Sequence, residues 1–175
     1  MKHRIIIAGA GGQGIMLLGK VLAEAAMCEG MSVTYLPAYG AEVRGGTANC
    51  MVVISDSDIG SPLVQEADSL IIMNGPSLVR FAGMISKKGT MFVNSSLAPE
   101  AAGDTGTCYP FTDIAIGLGN QKVANMVALG CFCAKTKLIS LDTVMAIVDE
   151  NIPAAKKDTA LLNKKALEAG KKLIK

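Results

Sequence analysis

The chain has 175 residues, half of them hydrophobic, with 17 basic and 15 acidic side chains and a formal net charge of +2. This length predicts a single domain over residues 1–175 with one core. The near-neutral charge and the scarcity of aromatic residues argue against a nucleic-acid partner, and no apolar run reaches the roughly 18 residues of a membrane span.

The first predicted strand, residues 4–8, is followed by glycines at positions 9, 11 and 14 and then by a helix over residues 15–28. Apolar residues in that helix recur at the spacing of one helical face. A strand, a glycine turn and a helix in this order present backbone N–H groups at the positive end of the helix, where an anion binds favourably. We therefore predict an anion-binding turn at residues 9–14.

Two further strands, residues 32–36 and 47–54, are separated by only ten residues. A parallel crossover needs about a dozen residues or more, so these strands are predicted to be antiparallel or not adjacent. The first of them is expected to stop at Pro37. The sheet should therefore be mixed rather than all parallel.

The remaining pattern alternates strands and helices. It predicts a helical turn near Ser61, a buried strand at 69–73, a helix from 77 to about 85, strands at 89–94 and 107–111, and a continuation of the last strand through 114–118. Helices are predicted at 122–135, at 140–150 and from 156 to the end. This order indicates an α/β fold, a three-layer Rossmann-like domain with a mixed, mostly parallel sheet.

Three compositional features bear on surroundings and partners. The aliphatic content fits either a sheet covered on both faces or a surface buried against a partner. Residues 155–175 carry seven lysines against two acids, which indicates either a solvated helix face or a docking surface for an acidic partner. The five cysteines lack C-x-x-C spacing and no export signal is recognisable, which favours a reduced, cytoplasmic protein.

The glycine turn lacks the usual companion of an NAD site. In such sites an acid at the end of the second strand holds the ribose hydroxyls, but here that position is occupied by Tyr35, Leu36 and Pro37. Glu29 has about the right count from Gly9, yet it precedes the strand. A P-loop is excluded as well, because no Lys-Ser or Lys-Thr follows the glycines. A free-standing nucleotide-dependent oxidoreductase is therefore kept only as an alternative.

A second motif runs from Tyr39 to Asn49. Its Arg44 offers five hydrogen-bond donors, and the two glycines that follow let the backbone approach a ligand or another chain closely. Glu42 could pair with Arg44 or with a basic group of a partner. The alternative is a tight loop in which Arg44 only caps carbonyl groups.

Together, Gly9-Ala10-Gly11-Gly12-Gln13-Gly14 and Tyr39-Gly40-Ala41-Glu42-Val43-Arg44-Gly45-Gly46-Thr47-Ala48-Asn49-Cys50 resemble the gamma subunit of the 2-oxoacid:ferredoxin oxidoreductases, of the 2-oxoglutarate and branched-chain 2-oxoacid type. The resemblance implies membership of a complex that decarboxylates a 2-oxoacid on thiamine diphosphate, reduces ferredoxin through iron–sulfur clusters and releases an acyl-CoA. Indolepyruvate:ferredoxin oxidoreductase has a related subunit and is the alternative within this resemblance, although its second motif more often lacks the Tyr-Gly-Ala-Glu form.

The resemblance also implies how the chemistry is divided. The chain has neither four closely spaced cysteines for a [4Fe–4S] cluster nor a Gly-Asp-Gly and Asn-Asn pattern for magnesium and thiamine diphosphate. These groups are expected on the alpha and beta subunits and on a ferredoxin-like subunit. No catalytic residue and no metal are assigned to this chain, and His3, its only histidine, is expected at the surface.

Two sets of site residues follow from the resemblance. Coenzyme A is expected at the subunit interface, against Gly9, Gly11, Gly12, Gln13, Gly14, Arg44, Gly45 and Gly46. The partner subunits are expected to contact Tyr39, Glu42 and Arg44. A structural adaptor, whose glycines serve only close helix–strand packing, remains the alternative.

Overall fold

The computed structural model describes residues 1–39, 47–98, 106–151 and 157–174. Its six-stranded sheet has the order β2-β3-β1-β4-β5-β6, with β1 Lys2–Ala10, β2 Ser32–Tyr39, β3 Thr47–Ser55, β4 Ala67–Ile72, β5 Ile85–Asn94 and β6 Gly106–Tyr109. The α-helices are α1 Ile15–Cys28, α2 Gly75–Phe81, α3 Phe111–Gly117, α4 Ala124–Thr136, α5 Leu141–Asn151 and α6 Lys157–Lys171, and 3₁₀ turns occupy Ala82–Met84 and Gln121–Val123.

One strand runs against the others. β3 pairs antiparallel with β1 and with β2, whereas β1 with β4, β4 with β5, and β5 with β6 are parallel pairs. Five of the strands therefore end at the same edge of the sheet, which we call the carboxyl edge. The mixed, mostly parallel sheet predicted from the short second connection is confirmed.

Helices cover both faces of this sheet. Successive residues of β1 point to opposite faces of the sheet. Ile5 and Ile7 pack into a large hydrophobic cluster with α1, α3, α4, α5 and α6. Ile6 and Ala8 pack into a smaller cluster that includes Phe81 of α2. α4 is buried at every residue from Ala124 to Cys133, which explains why this stretch is apolar except at Asn125. The three-layer prediction is confirmed.

β2 is longer than predicted. It passes through Pro37, which lies opposite Cys50, and ends at Tyr39. β2 is an edge strand that pairs with β3 on one side only. The missing N–H group of Pro37 therefore leaves no hydrogen bond unmade to a second neighbouring strand. The prediction that the strand stops at Pro37 is wrong for this reason.

Three local predictions for residues 61–118 are also wrong. Instead of a helical turn, the N–H of Leu63 donates to Ser61 Oγ at 3.2 Å. α2 ends at Phe81 and β5 begins at Ile85, four residues before the predicted start. Residues 114–117 are the end of α3, and Leu118 is its C-cap, so no strand forms here. Side chains outside the helix cap its first turn: Asn94 Oδ1 accepts from Thr112 N–H, and Ser96 Oγ accepts from Asp113 N–H.

No helix in the described residues has the length and apolar character needed to cross a bilayer.

Candidate functional site

The glycine turn connects the end of β1 to the start of α1 at the carboxyl edge. Gly12 has a φ of +89° and Gly14 a φ of +71°, in the left-handed region where an L side chain is strained. Gly14 is the N-cap residue of α1 and offers no side-chain cap to this helix. Gly11 and Gly12 are exposed. The N-terminal end of α1 is therefore open to a ligand at the turn, as a phosphate-binding turn requires.

Gln13 holds the turn together from inside. Its Oε1 accepts from Ala10 N–H at 2.6 Å, its Nε2 donates to the Met73 carbonyl at 3.3 Å, and its own N–H donates to the Ala10 carbonyl at 3.2 Å. A Cβ on Gly9 would lie 2.6 Å from Gln13 Oε1, so glycine is required there to leave room for this side chain. Gln13 thus ties the ends of β1 and β4 together and keeps its polar groups within the protein.

A buried asparagine supports the turn from α4. The side chain of Asn125 is 3% exposed, and its Nδ2 donates to the Gly14 carbonyl at 3.1 Å while its Oδ1 accepts from Met126 N–H. A Cβ added to Gly14 would lie 2.3 Å from the same Nδ2. Sequence reasoning did not assign Asn125 to the site. The feature that could have identified it is its position as a single amide within an otherwise apolar helix.

A cleft of about 290 Å³ opens beside the turn. Two stretches of chain line it, which we call its two walls: Gly12 and Gln13 of the turn, and Thr112, Gln121 and Lys122 of α3 and the 3₁₀ turn that follows it. This second wall was also missed by sequence reasoning, because these residues lie far along the chain and carry no motif. The cleft lies between the ends of the neighbouring strands β1 and β4. The helix after β1, α1, covers one face of the sheet, and the helix after β4, α2, covers the other. Open α/β sheets bind ligands in the crevice at such a point.

The cleft wall is anchored to the strand ends by Asn94. This side chain is fully buried, and its Nδ2 donates to the Met73 carbonyl at 3.2 Å and to Thr112 Oγ1 at 2.8 Å. The Met73 carbonyl therefore receives bonds from both Gln13 and Asn94. The two walls are connected through one backbone group, which fixes their separation.

The second motif begins and ends at the same edge. Thr47 and Ala48 of this motif, on β3, pair with Ala10 and Gly9 of β1, and Tyr39 of β2 pairs with Ala48 from the other side, so the two motifs adjoin in the sheet. At its far end, Arg80 of α2 donates to Thr47 Oγ1 at 3.0 Å. Glu42, Arg44, Gly45 and Gly46 lie outside the described residues.

The cysteines do not form a metal site in the described parts of the chain. Cys50 lies on β3, Cys131 and Cys133 lie on α4, and burial raises the pKa of all three thiols to about 12. A cluster ligand must be a thiolate, which this burial disfavours. No group of three or more potential metal ligands occurs among the described residues. The residues present do not fit an iron–sulfur cluster.

His3 is placed differently from the expectation. It is half-buried at the opposite end of β1, with Nε2 2.9 Å from Ser69 Oγ and its ring edge-on to Phe132 at 6.3 Å. Burial lowers its pKa despite the nearby charge of Asp68. The expectation of a surface histidine is wrong, because β1 runs beneath α4 and the ring packs against that helix.

Known proteins with similar sequences are subunits of 2-oxoacid oxidoreductases. A family model for pyruvate ferredoxin/flavodoxin oxidoreductases matches residues 4–173. The 2-oxoglutarate synthase subunit KorC of Methanothermobacter thermautotrophicus is 30% identical over 99% of this chain and 96% of its own length. The ketoisovalerate oxidoreductase subunit VorA of the same organism is 42% identical over 75% of this chain, and the match spans only 28% of VorA. The indolepyruvate oxidoreductase subunit IorB of Archaeoglobus fulgidus is 31% identical over 67% of this chain and 59% of its own length.

Solved structures with the same fold belong to the same group of enzymes. The gamma subunit of a keto/oxoacid ferredoxin oxidoreductase from Geobacter sulfurreducens has a TM-score of 0.83 and 29% identity, over 97% of this chain and 96% of that one. A 2-oxoglutarate:ferredoxin oxidoreductase from Magnetococcus marinus, solved with 2-oxoglutarate, coenzyme A and succinyl-CoA, has a TM-score of 0.89 over 99% of this chain and 31% of its own, at 23% identity. The chain therefore belongs to the pyruvate ferredoxin/flavodoxin oxidoreductase family and has the fold of a gamma subunit.

Proposed function

We propose that this chain acts as the non-catalytic gamma component of a thiamine-diphosphate-dependent 2-oxoacid:ferredoxin oxidoreductase, in the cytoplasm. The complex would decarboxylate a 2-oxoacid oxidatively, form an acyl-CoA and reduce ferredoxin. One observation carries this proposal: the chain is similar to the KorC subunit and to the Geobacter gamma subunit over nearly the whole length of each compared chain. The likeness to IorB covers less of the chain and supports the indolepyruvate alternative less well.

The reactive groups would belong to other subunits. Thiamine diphosphate supplies the carbanion chemistry and iron–sulfur clusters supply the electron path, and we assign both, with magnesium, to the alpha and beta subunits and a ferredoxin-like subunit. The described residues support this division, because they contain no group of three or more potential metal ligands.

The glycine turn would form the coenzyme A side of the active site. Gly11, Gly12 and Gly14 would receive an anionic part of the ligand at the open end of α1, and Gln13 would hold the turn in shape. Arg44, with Gly45 and Gly46, would add a charged contact. Tyr39 and Glu42 of the same motif would contact partner subunits.

The topology counts against a nucleotide-dependent enzyme acting alone. In a dinucleotide site the ribose-binding acid lies at the end of the strand adjacent to β1. Here the antiparallel β3 separates β2 from β1, and β2 ends in Pro37, Ala38 and Tyr39. Neither the position nor the side chains suit a ribose.

Omission of the chain tests its role in the complex. We expect the purified alpha, beta and ferredoxin-like subunits to reduce ferredoxin in a 2-oxoacid- and coenzyme A-dependent manner only after this chain is added, and the four components to co-elute in size-exclusion chromatography. Equal turnover with and without the chain would contradict the proposal.

Calorimetric titration of coenzyme A into the assembled complex tests the site. Arg44→Ala should weaken affinity by about tenfold, the effect of losing a charge-assisted contact. Gly12→Val should weaken it by about as much, because a side chain at this left-handed position obstructs the close approach of the ligand to the backbone. Gly30→Val is the control for Gly12→Val, because Gly30 also has a positive φ, of +79°, and open space around it, but lies at the other end of α1. Lys135→Ala controls for the lost charge of Arg44. Unchanged affinity in both site variants would leave the structural-adaptor alternative.

A further inference from the structure

The outer face of α6 is a charged surface to which the proposed function gives no role. Residues 157–174 carry five lysines against two acids. Side chains three or four positions apart share one face of a helix, and this spacing places all five lysines on the same side. We call this side the lysine face. Its members are Lys157, Leu161, Lys164, Lys165, Glu168, Lys171 and, in the turn after the helix, Lys172.

The packing of α6 holds the lysine face outward. The opposite side of the helix is buried at Asn163, Ala166, Leu167 and Gly170. Gly170 lies so close to α4 that a Cβ on it would come within 2.0 Å of a backbone carbonyl oxygen of that helix. α4 in turn packs on the sheet, so α6 forms an outer layer. The helix cannot rotate to bring its lysines against the protein.

Most of the charge on this face is not neutralised. Lys164 pairs with Asp149 of α5. Lys157, Lys165, Lys171 and Lys172 are exposed, and none of them forms an ion pair within the described parts of the chain. A cluster of like charges on one surface produces a local positive potential, which attracts a negatively charged partner and speeds its association.

The lysine face also has apolar surface beside its charges. An open groove of about 380 Å³ runs along it, with Lys165 and Lys172 on its rim and with apolar lining from Leu118, Met145 and Ala169. One turn before Lys165, the side chain of Leu161 is 55% exposed. A single exposed leucine is ordinary on a protein surface. An apolar centre within a charged rim, however, is the arrangement of a protein–protein interface.

The composition of this surface favours a partner that binds briefly. Permanent subunit interfaces are hydrophobic, and lysine is depleted in interfaces compared with the rest of the surface. Rim charges instead steer diffusional encounters and select a partner of opposite charge. The lysine face therefore fits the acidic side of a protein that associates and dissociates. In the proposed complex, the protein that must bind and leave during turnover is the electron acceptor.

We propose that the lysine face is a docking surface for an acidic face of the ferredoxin that the complex reduces. This inference rests on the proposed function and adds to it a role for α6. The electrons come from the clusters of the partner subunits, and this chain supplies only attraction and orientation.

Steady-state kinetics of the assembled complex tests the docking surface with two acceptors, ferredoxin and the small dye methyl viologen. The double variant Lys165→Glu/Lys172→Glu should raise the KM for ferredoxin about tenfold or more, because like charges then meet, and leave kcat unchanged. Turnover with methyl viologen should stay normal. The difference in KM should shrink between 0.1 M and 0.5 M NaCl, since the screening length falls from about 10 Å to about 4 Å.

Two controls match these changes elsewhere on the chain. Lys87→Glu/Lys88→Glu alters two exposed lysines of β5 with the same change in net charge, and it should leave the KM for ferredoxin nearly normal. Leu161→Ala should raise this KM without altering its salt dependence. Met27→Ala removes a side chain of α1 that is 63% exposed, and it should have no effect.

The outcomes separate this inference from the proposed function. Normal kinetics with both acceptors in Lys165→Glu/Lys172→Glu overturns the docking surface and keeps the complex. An equal rise in KM for Lys87→Glu/Lys88→Glu overturns it as well, because net charge would then be the cause. Failure of the double variant to co-elute with the other subunits would reveal a permanent contact instead. A wild-type complex that reduces neither acceptor would overturn the proposed function itself.

A nucleic acid or a membrane surface is also negatively charged, and both can be tested directly. Binding of a 20-nucleotide RNA or of vesicles containing phosphatidylserine, lost in Lys165→Glu/Lys172→Glu while the KM for ferredoxin stays unchanged, would overturn the assignment to a protein partner. No binding of either probe, together with the salt-dependent rise in KM, is the expected result.

Discussion

Asn125 leaves no room for a side chain at Gly14, and this close approach can be tested by itself. Gly14→Ala introduces a left-handed alanine, at a cost of roughly 1–2 kcal/mol, and a Cβ 2.3 Å from Asn125 Nδ2. Gly12→Ala introduces similar backbone strain with no atom within 4 Å. We expect urea unfolding to show a larger loss of unfolding free energy for Gly14→Ala than for Gly12→Ala.

A double-mutant cycle identifies the source of that difference. Asn125→Ala removes the clashing amide, so Gly14→Ala should cost less in the Asn125→Ala background, with a coupling of about 0.5–3 kcal/mol. The Gly12→Ala cost should be the same in both backgrounds. Additive effects of Gly14→Ala and Asn125→Ala would mean that the backbone shifts and the two residues do not meet.

His3 makes stability depend on pH. Burial places its pKa in the folded state below the ordinary value of about 6.5, so the unfolded chain binds the proton first as pH falls. Unfolding free energy should therefore decrease as pH is lowered through about 6.5 toward the folded-state pKa, and it should be unaffected above. Urea unfolding between pH 8 and pH 5 measures this slope.

His3→Gln is the control for this titration, because an amide can keep the bond to Ser69 without titrating. Its slope over the same window should be flatter. Asp68 does not interfere: burial raises its pKa, but bonds from Arg4 lower it further, so the net shift is downward and its titration lies below about 4. A slope unchanged by His3→Gln would show that the histidine is not responsible.

At the scale of elements, α4 and α6 depend on two glycines for their close packing. A Cβ on Gly130 would lie 2.0 Å from the Leu167 carbonyl oxygen, and a Cβ on Gly170 would lie 2.0 Å from the Val127 carbonyl oxygen. Both obstacles are backbone atoms, which cannot rotate away as a side chain can. The two helices can pack at this distance only if both positions remain glycine.

Gly130→Ala should therefore destabilise the protein by about 3 kcal/mol or more, at the upper end of overpacking effects. Gly117→Ala is the matched control, since that glycine ends α3 with open space around it and a φ that alanine accepts. It should be neutral or stabilise by about 0.4–1 kcal/mol. Thermal unfolding of both variants checks the prediction, and equal melting temperatures would contradict the close approach.

The elements that sequence predicted well are those whose own residues determine them. β1, the glycine turn and α1 follow from a local apolar pattern and glycine spacing, and the mixed sheet followed from one short connection. α3 could not be predicted in this way, because its first turn is capped by Asn94 and Ser96 from another part of the chain. β2 passed through Pro37 only because it became an edge strand, which the topology decides.

The same distinction holds for the candidate site. The turn was predictable because its glycines stand together in sequence. Lys122 and Asn125 were not, because only the fold brings the 3₁₀ turn Gln121–Val123 and α4 close to the glycine turn. Asn125 and Gly14 are 111 positions apart. A single lysine or asparagine without a neighbouring motif carries no signal until the second wall of the cleft is known.

At the scale of the whole molecule, the cysteines report on the integrity of the core. Cys28 is exposed, whereas Cys50, Cys131 and Cys133 are buried and burial raises their pKa to about 12. Because only the thiolate reacts, iodoacetamide at pH 8 should modify Cys28 readily in the native protein and reach the three buried thiols only after unfolding. Peptide mass spectrometry with and without denaturant measures this order. Rapid native labelling of Cys131 or Cys133 would mean that α4 opens, and it would undermine both the enclosed core and the argument that these thiols are unavailable to a metal cluster.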